Sequence, residues 1–344
     1  MVPTMANIRA VAGSHVTLAE VARHAGVGIA TASRALRGNP GVAPATRVKV
    51  QQVAERLSYV ASPDAVRLAT GRTRRVALVV PHLDRWFFGA MVAGLVSVLR
   101  DADLDVILYP VAEKNDRSRF FEKLPARRKV DAVVVVAFPV DARERQRLAL
   151  LGVHVVAAGG QSGDYPYVSI DDLAAGTQAV NHLLNLGHRR IAMLEALDPS
   201  QPTVKARSRA YFQCLEHAGV AVDPELVRSS DWGGEQGAAS MAALLGLRSP
   251  PTAVYAHSDE VALGAMRTLR RAGLRIPDDV SIVGIDDHPL AALTDLTTVR
   301  QPVELQGRLT AELLLGLLRG DDVDLAVDVP TELVVRASTA PPPR

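Results

Sequence analysis

A single cysteine, Cys214, stands in 344 residues, so no internal disulfide can form. The paired CxxC spacing of a zinc site is absent too. Long apolar stretches are also missing. The run Val133 to Val140 is among the longest, far short of the ~20 residues that a membrane-spanning helix needs. The opening MVPTMANIRAVAGS has no apolar core of a secretory signal, which makes the cytoplasm the expected address. Neither a GxxxxGK(S/T) phosphate loop nor an HExxH helix occurs, and the expectation is no cofactor, no metal and no catalytic residue. What is present is 48% hydrophobic and 22% charged, a globular composition that excludes a disordered or collagen-like chain.

The net charge of +2 conceals an uneven distribution. Residues 1–75 carry eleven Lys and Arg against three acids, a net +8, which leaves −6 for the rest. A small basic head on a mildly acidic body suggests a polyanion-binding module joined to something larger.

The head has a helical pattern. In Thr17 to His24, Leu18, Val21 and Ala22 fall at i, i+3 and i+4, and Thr17 supplies a hydroxyl N-cap. Ala25-Gly26-Val27 breaks that helix, a second follows from Ile29 to Leu36, and a third runs from about Ala43 to Leu57. Two helices around a short Gly-containing turn have the spacing of a helix-turn-helix DNA reader, although any packed helix pair could show it.

The residues from Val16 to Val60 resemble the DNA-binding head of the lactose-repressor/galactose-repressor (LacI/GalR) family, whose pattern is close to VTxxDVAxxAGVSxxTVSRVLNG. Thr17, Val21, Ala22, Ala25, Gly26, Val27, Thr31, Ser33, Arg34 and Leu36 match it. The resemblance implies that the second helix enters the major groove with Ile29 and Ala30 in the base-reading positions. It assigns phosphate or base contacts to Thr31, Ser33, Arg34 and Asn39 and includes Thr17, Gly28 and Tyr59 in the interface. Gly28 stands where the family has a capping serine, so a hydroxyl contact is lost there. In the stretch after Tyr59 the family has a hinge helix that wedges a leucine between base pairs, and the spacing carries that role to Leu68.

Beyond residue 75, apolar runs alternate with helical patterns. The runs are Val76–Val80, Val106–Leu108, Val133–Ala137, Val153–Ala158, Ile191–Leu194, Ala253–Ala256 and Ile282–Ile285; the helical patterns include 88–102, 174–186, 207–217, 237–245 and 260–272. Such alternation implies parallel sheets covered by helices, and the segment is too long for one sheet. Two similar halves sharing a cleft is the expected architecture, with ligand bound at the carboxyl ends of the strands. The family resemblance extends here through LGHRRI (186–191), SDEVALGAMRTLRRAGLRIPDDVSIVGIDD (258–287) and LTTVRQP (296–302).

The implied fold is an all-α helix-turn-helix head, residues 1–60, and a hinge or linker, 61–74, before an α/β periplasmic-binding-protein-like core, 75–344. That core has two doubly wound parallel-sheet subdomains, about 75–170 with 301–329 and about 171–300 with 330–340, the chain crossing near 170, 301 and 329. The resemblance carries effector binding to Arg207 and Asp286 as polar anchors, Trp232 as a stacking aromatic, Ser258 where asparagine is usual, and Trp86 with Phe87 as an apolar wall. Each has a plainer reading: a salt bridge for Arg207, a turn for Asp286, core packing for the tryptophans. His182 and His188, the adjacent pairs Asp171-Asp172 and Asp286-Asp287, and the glycine-rich 158–163 are not convincing catalytic, metal or dinucleotide sites.

The implied function is a homodimeric transcriptional regulator, read as a repressor, that binds near-palindromic double-stranded operator DNA and responds to a small effector, a sugar or sugar derivative. The competing reading is a sugar-binding or sugar-processing doubly wound protein with a DNA-binding appendage. The tail ASTAPPPR lacks a leucine heptad, which favours a dimer over a tetramer.

Overall fold

The computed structural model describes residues 16–59, 72–112, 114–160, 164–196 and 202–343. The chain forms two compact units, Met1–Thr73 and Arg74–Arg344.

The first unit holds three helices, α1 (Leu18–Ala25), α2 (Ile29–Leu36) and α3 (Pro44–Arg56). Thr17 caps α1 in a reciprocal box: its hydroxyl accepts from the Glu20 amide, and the Glu20 carboxylate accepts from the Thr17 amide at 2.7 Å. Gly26 ends α1 at φ 64°, a left-handed conformation that glycine adopts without a Cβ penalty. Val21, Ala22, Ala25, Ala32, Ala35, Val50, Val53 and Ala54 form the small core, with Leu57 and Tyr59 packed at its margin. Five of these eight are alanines, which lets three short helices approach closely.

The second unit contains two six-stranded sheets. The first uses β1 (Arg75–Val80), β2 (Asp105–Pro110), β3 (Ala132–Val136), β4 (His154–Ala158), β5 (Tyr167–Ser169) and β11 (Ala326–Asp328), in the order β11-β5-β4-β3-β1-β2. The second uses β6 (Ile191–Ala196), β7 (Val227–Ser230), β8 (Ala253–Ala256), β9 (Ser281–Asp286), β10 (Thr297–Arg300) and β12 (Glu332–Val334), in the order β12-β10-β9-β8-β6-β7. Every described pairing is parallel except β10 with β12. The central strands read as unbroken apolar runs because helices cover both faces; β3, AVVVV, is buried throughout.

Between the strands run α4 (Trp86–Asp101), α5 (Lys114–Lys123), α6 (Ala142–Ala149), α7 (Asp172–Asn185), α8 (Pro202–His217), α9 (Gly234–Leu245), α10 (Asp259–Arg271), α11 (Pro289–Leu293) and α12 (Val303–Arg319). The chain leaves the first sheet after β5, returns through α12 after β10, and passes again between β11 and β12. Helix α12 packs on α4 closely enough that a Cβ at Gly94 would lie 2.1 Å from the Glu304 carbonyl, and one at Gly307 2.3 Å from that of Met91. Only glycine allows that crossing.

Both sheets reverse their winding direction at equivalent places, between β1 and β3 and between β6 and β8. Ligands of open α/β sheets bind beyond the carboxyl ends of strands at such switch points.

Candidate ligand cleft and nucleic-acid interface

A cavity of about 430 Å³ lies where the carboxyl ends of the two sheets converge. Pro81 and His82 reach it after β1, Ala137 and Phe138 after β3, Gly159 after β4, Ser258 after β8, Asp286 at the end of β9 and Gln301 after β10. All six residues assigned to the effector by resemblance, Trp86, Phe87, Arg207, Trp232, Ser258 and Asp286, line it.

Arg207 enters from α8 and is only 4% exposed. Its Nε donates to the Asp172 carboxylate at 2.8 Å, and one terminal nitrogen donates to the His257 carbonyl. Burial opposes the guanidinium charge, but Asp172 and Asp286 outweigh it and hold the group above its ordinary range. Asp286 is buried and accepts from the Gln301 side-chain amide at 2.6 Å. Burial pushes its carboxyl well above the usual carboxylate range against the pull of Arg207, and neighbouring Asp259 adds to the push. Its φ of 137° lies where residues with side chains are rarely found.

The walls are aromatic. Trp86 and Phe87 occupy the first turn of α4, two residues earlier than the helical pattern at Phe88 suggests. The Trp86 ring packs on His288 of the second sheet's side at 5.0 Å between centroids, and its backbone N–H faces the Glu260 carboxylate at 3.4 Å. Trp232 lines the same space from the loop between β7 and α9. The Ser258 hydroxyl is taken by the Val261 amide as the N-cap of α10, so its contribution to the lining is structural as well.

Sequence reasoning missed several lining groups. The adjacent pair Asp171-Asp172 divides its work: Asp172 holds Arg207 in the cleft while Asp171 turns away to cap α7. Gln301 lies within the LTTVRQP run and was given no role. Glu260 lies within the SDEVALG run without an assigned role, while Arg85, Arg117, Thr203 and Phe138 reach the cavity through topology. His182 and His188 face the C-terminal segment, bonding Thr339 and Ala340 with Thr252. Among the described residues no three His, Cys, Asp or Glu side chains converge as a metal site, and no helix is long and apolar enough to cross a membrane.

The basic head has its own candidate interface. Gly28, Ile29 and Ala30 are exposed at the N-terminus of α2, with Arg34 and Asn39 also exposed and Thr31 and Ser33 half-buried. Gly28 makes no side-chain cap. Arg34 donates to the Ala30 carbonyl at 3.3 Å, Arg37 to the Ser33 hydroxyl at 2.7 Å, and Arg47 to the carbonyls of Gly38 and Asn39 at 3.1 and 2.8 Å. These bonds hold the arginines against α2 and the turn that follows it; in helix-turn-helix proteins the N-terminal end of the second helix reads base edges. Tyr59 packs at the margin of the head's core, whereas Leu68 lies outside the described residues.

Residues 17–62 match the bacterial regulatory proteins of the lacI family, and residues 180–339 match a periplasmic binding protein-like domain. The transcriptional repressor CytR of Escherichia coli K12 is 32% identical over 328 residues, spanning 94% of this chain and 96% of its own length. The regulator CelR of Thermobifida fusca is 35% identical over 334 residues, spanning 94% and 98%. A solved CelR–cellobiose complex superposes with a TM-score of 0.71 at 33% identity, covering 94% of this chain and all of that one. The lac repressor dimer bound to operator and the anti-inducer ONPF gives 0.85 at 25% identity, covering 95% and 100%. A basic three-helix head, two sheets of matching winding and near full-length similarity lead to one conclusion: the chain belongs to the LacI/GalR family of DNA-binding transcriptional regulators.

Proposed function

We propose that this regulator is a repressor that acts as a homodimer on a near-palindromic operator and changes its grip on DNA when an uncharged sugar or sugar derivative fills the cleft. The observation that carries the effector class is the combination of aromatic walls, Trp86, Phe87 and Trp232, with a floor of partnered polar groups, Arg207, Asp172, Asp286 and Gln301. Aromatic faces suit the apolar C–H faces of a sugar ring, while the guanidinium fork and carboxyl oxygens suit its hydroxyls. Arg207 is already neutralised by Asp172, which disfavours a strongly anionic ligand at that point. A relative solved as a complex with cellobiose supports the same class. Asp172 and Asp286 are tied to Arg207 and Gln301 rather than poised as a free acid and base, which supports a binding role over turnover.

Ligand binding would bias lobe closure about the three connections after β5, after β10 and between β11 and β12, and the effector can shift operator affinity only by its differential affinity for the two states. The wedge role of Leu68 belongs to this proposal, and Leu68→Gly should abolish specific operator binding while the fold persists.

The test is a binding titration of the full chain against duplexes from its own promoter region, at two salt concentrations, with a random duplex as control. Specific binding ~10³-fold or more above random with a steep salt slope is expected. The two tryptophans of the sequence, Trp86 and Trp232, both line the cleft, so a screen of neutral mono- and disaccharides can be read by their fluorescence. A saccharide that changes both fluorescence and operator affinity establishes the effector class. Steady consumption of that saccharide by the protein would overturn the regulator reading in favour of an enzyme.

A further inference from the structure

The core is acidic as a whole, yet one turn of its first lobe is the reverse. Between α5 and β3, Leu124, Ala126 and Val130 are buried while Arg127, Arg128 and Lys129 are exposed. The turn is pinned: the Arg127 amide donates to the Leu124 carbonyl and the Lys129 amide to that of Ala126, both at 2.9 Å, and Leu124 and Arg128 hold left-handed φ angles of 46° and 58°. Three consecutive cations are thus presented to water on a fixed backbone. Among the described residues Arg127 and Lys129 have no acidic partner.

The place of this turn in the fold gives the charge a use. All strands of the first sheet run parallel, so the turn lies at their amino ends, the edge opposite the cleft. That edge is also where the chain enters the core. Asp131, two residues after Lys129, donates its amide to the Arg75 carbonyl at the start of β1 and accepts from the Arg74 amide, both at 2.8 Å. Acids flank the turn along the edge, Asp103 and Asp105 ahead of β2 and Asp321, Asp322 and Asp324 ahead of β11, so the cations form a narrow stripe beside β1 rather than a general basic face. Arg74 is fifteen positions beyond Tyr59, a reach of at most about 50 Å even for a fully extended chain. A head seated on DNA therefore keeps this edge within a tether's length of the neighbouring duplex, and tethering makes a second contact intramolecular.

We propose that the turn Arg127-Arg128-Lys129 of the first lobe is a second DNA-contacting surface, which binds the phosphate backbone of the duplex flanking the operator. The inference rests on the reading of this chain as a sequence-specific DNA binder and adds a contact outside the helix-turn-helix head. Guanidinium and ammonium groups donate charge-assisted hydrogen bonds to phosphate oxygens and carry no base information, so the contact adds affinity without regard to flank sequence. Each phosphate neutralised steepens the dependence of log affinity on log salt by about 0.9. One such contact from each protomer of a dimer makes the affinity lost between 50 and 200 mM salt roughly tenfold larger.

The experiment uses the full chain and an operator selected by it from a random pool. One duplex has about 20 bp, enough for two half-sites a turn apart. The other carries about 15 bp more on each side, roughly 50 Å of duplex. The parent should bind the longer duplex more tightly and with the steeper salt slope, and scrambling the flanks should leave that gain intact. The variant Arg127→Gln/Arg128→Asn/Lys129→Gln, with asparagine chosen because it tolerates the left-handed backbone, should bind the short duplex as the parent does, lose the gain on the long one and keep the parent's melting temperature. Lys129→Gln alone should lose part of the gain. Equal affinity and slope of the parent on both duplexes overturns the proposal, as does a variant that weakens on both duplexes alike. Failure of the parent to prefer any duplex overturns the sequence-specific reading itself, a result distinct from a strong operator preference that is indifferent to length.

Discussion

Gln301 donates its side-chain amide to the Asp286 carboxyl at 2.6 Å, joining the end of β9 to the point where the chain leaves the second sheet for α12. Gln301 is itself held by Gln306, fully buried on α12, whose amide donates to the Gln301 carbonyl oxygen at 3.2 Å. A cleft carboxyl is thus connected by side chains to a helix packed on the other lobe. The Gln306 side-chain oxygen Oε1 is buried without a partner among the described residues. Such a group costs about 1–3 kcal/mol, but Gln306→Leu would also leave the buried Gln301 carbonyl oxygen without its donor, so the two effects should nearly cancel in urea unfolding while the Gln301 side chain is freed. A lower midpoint would show that the amide chain stabilises the fold.

Arg207 and Asp172 form a buried ion pair, and removing one partner leaves an uncompensated charge. Arg207→Ala should therefore lose the effector response and also destabilise the core by about 3–5 kcal/mol. Arg207→Met combined with Asp172→Asn should cost less than the sum of the single changes. Additive losses in denaturant titrations would mean that the pair is not coupled.

His257 is fully buried with both ring nitrogens unpartnered among the described residues, and its ring lies 5.5 Å from that of Tyr255. Burial, with the Arg207 charge beside it, holds its pKa well below the ordinary imidazole value. The native state keeps the ring neutral, so below pH ~6.5 only the unfolded chain takes up the proton. The stability linked to this group is present above that value and lost as pH falls. His257→Phe removes the proton acceptor and keeps the ring, so its stability advantage over the parent should grow from pH 8 to pH 5. A pH-independent difference would contradict a neutral buried histidine.

Gly28 has φ −68° and open space where a Cβ would stand, so serine fits there without strain. Gly28→Ser should cap α2, stabilising the head by a few tenths of a kcal/mol, and its hydroxyl should tighten operator binding through a phosphate. Unaltered affinity at low salt would show that the helix end does not approach the backbone.

The head was legible because its signals are local. The Thr17–Glu20 box, the Gly26 stop and the spacing of Val21, Ala22 and Ala25 lie within one or two turns of each other, and the observed helices fall within a residue or two of the expected ones. The apolar strands β1, β3, β4, β8 and β9 were legible for the same reason. Edge strands β11 and β12 were not, having three residues each and pairing with strands far away in sequence.

By itself, then, the sequence determined the helix ends of the head, the buried strands and the family, because capping, turn chemistry and hydrophobic period are short-range properties; in the core, α8 begins at Pro202, five residues before the helical pattern at Arg207. The family pattern also named six residues that line the cavity. Tertiary structure decided their company: Asp172 rather than Asp171 on Arg207, Gln301 on Asp286, Glu260 facing the Trp86 amide. Those partnerships span 15 to 174 positions of chain. They exist because both sheets wind the same way and bring their carboxyl ends together, which no local pattern encodes.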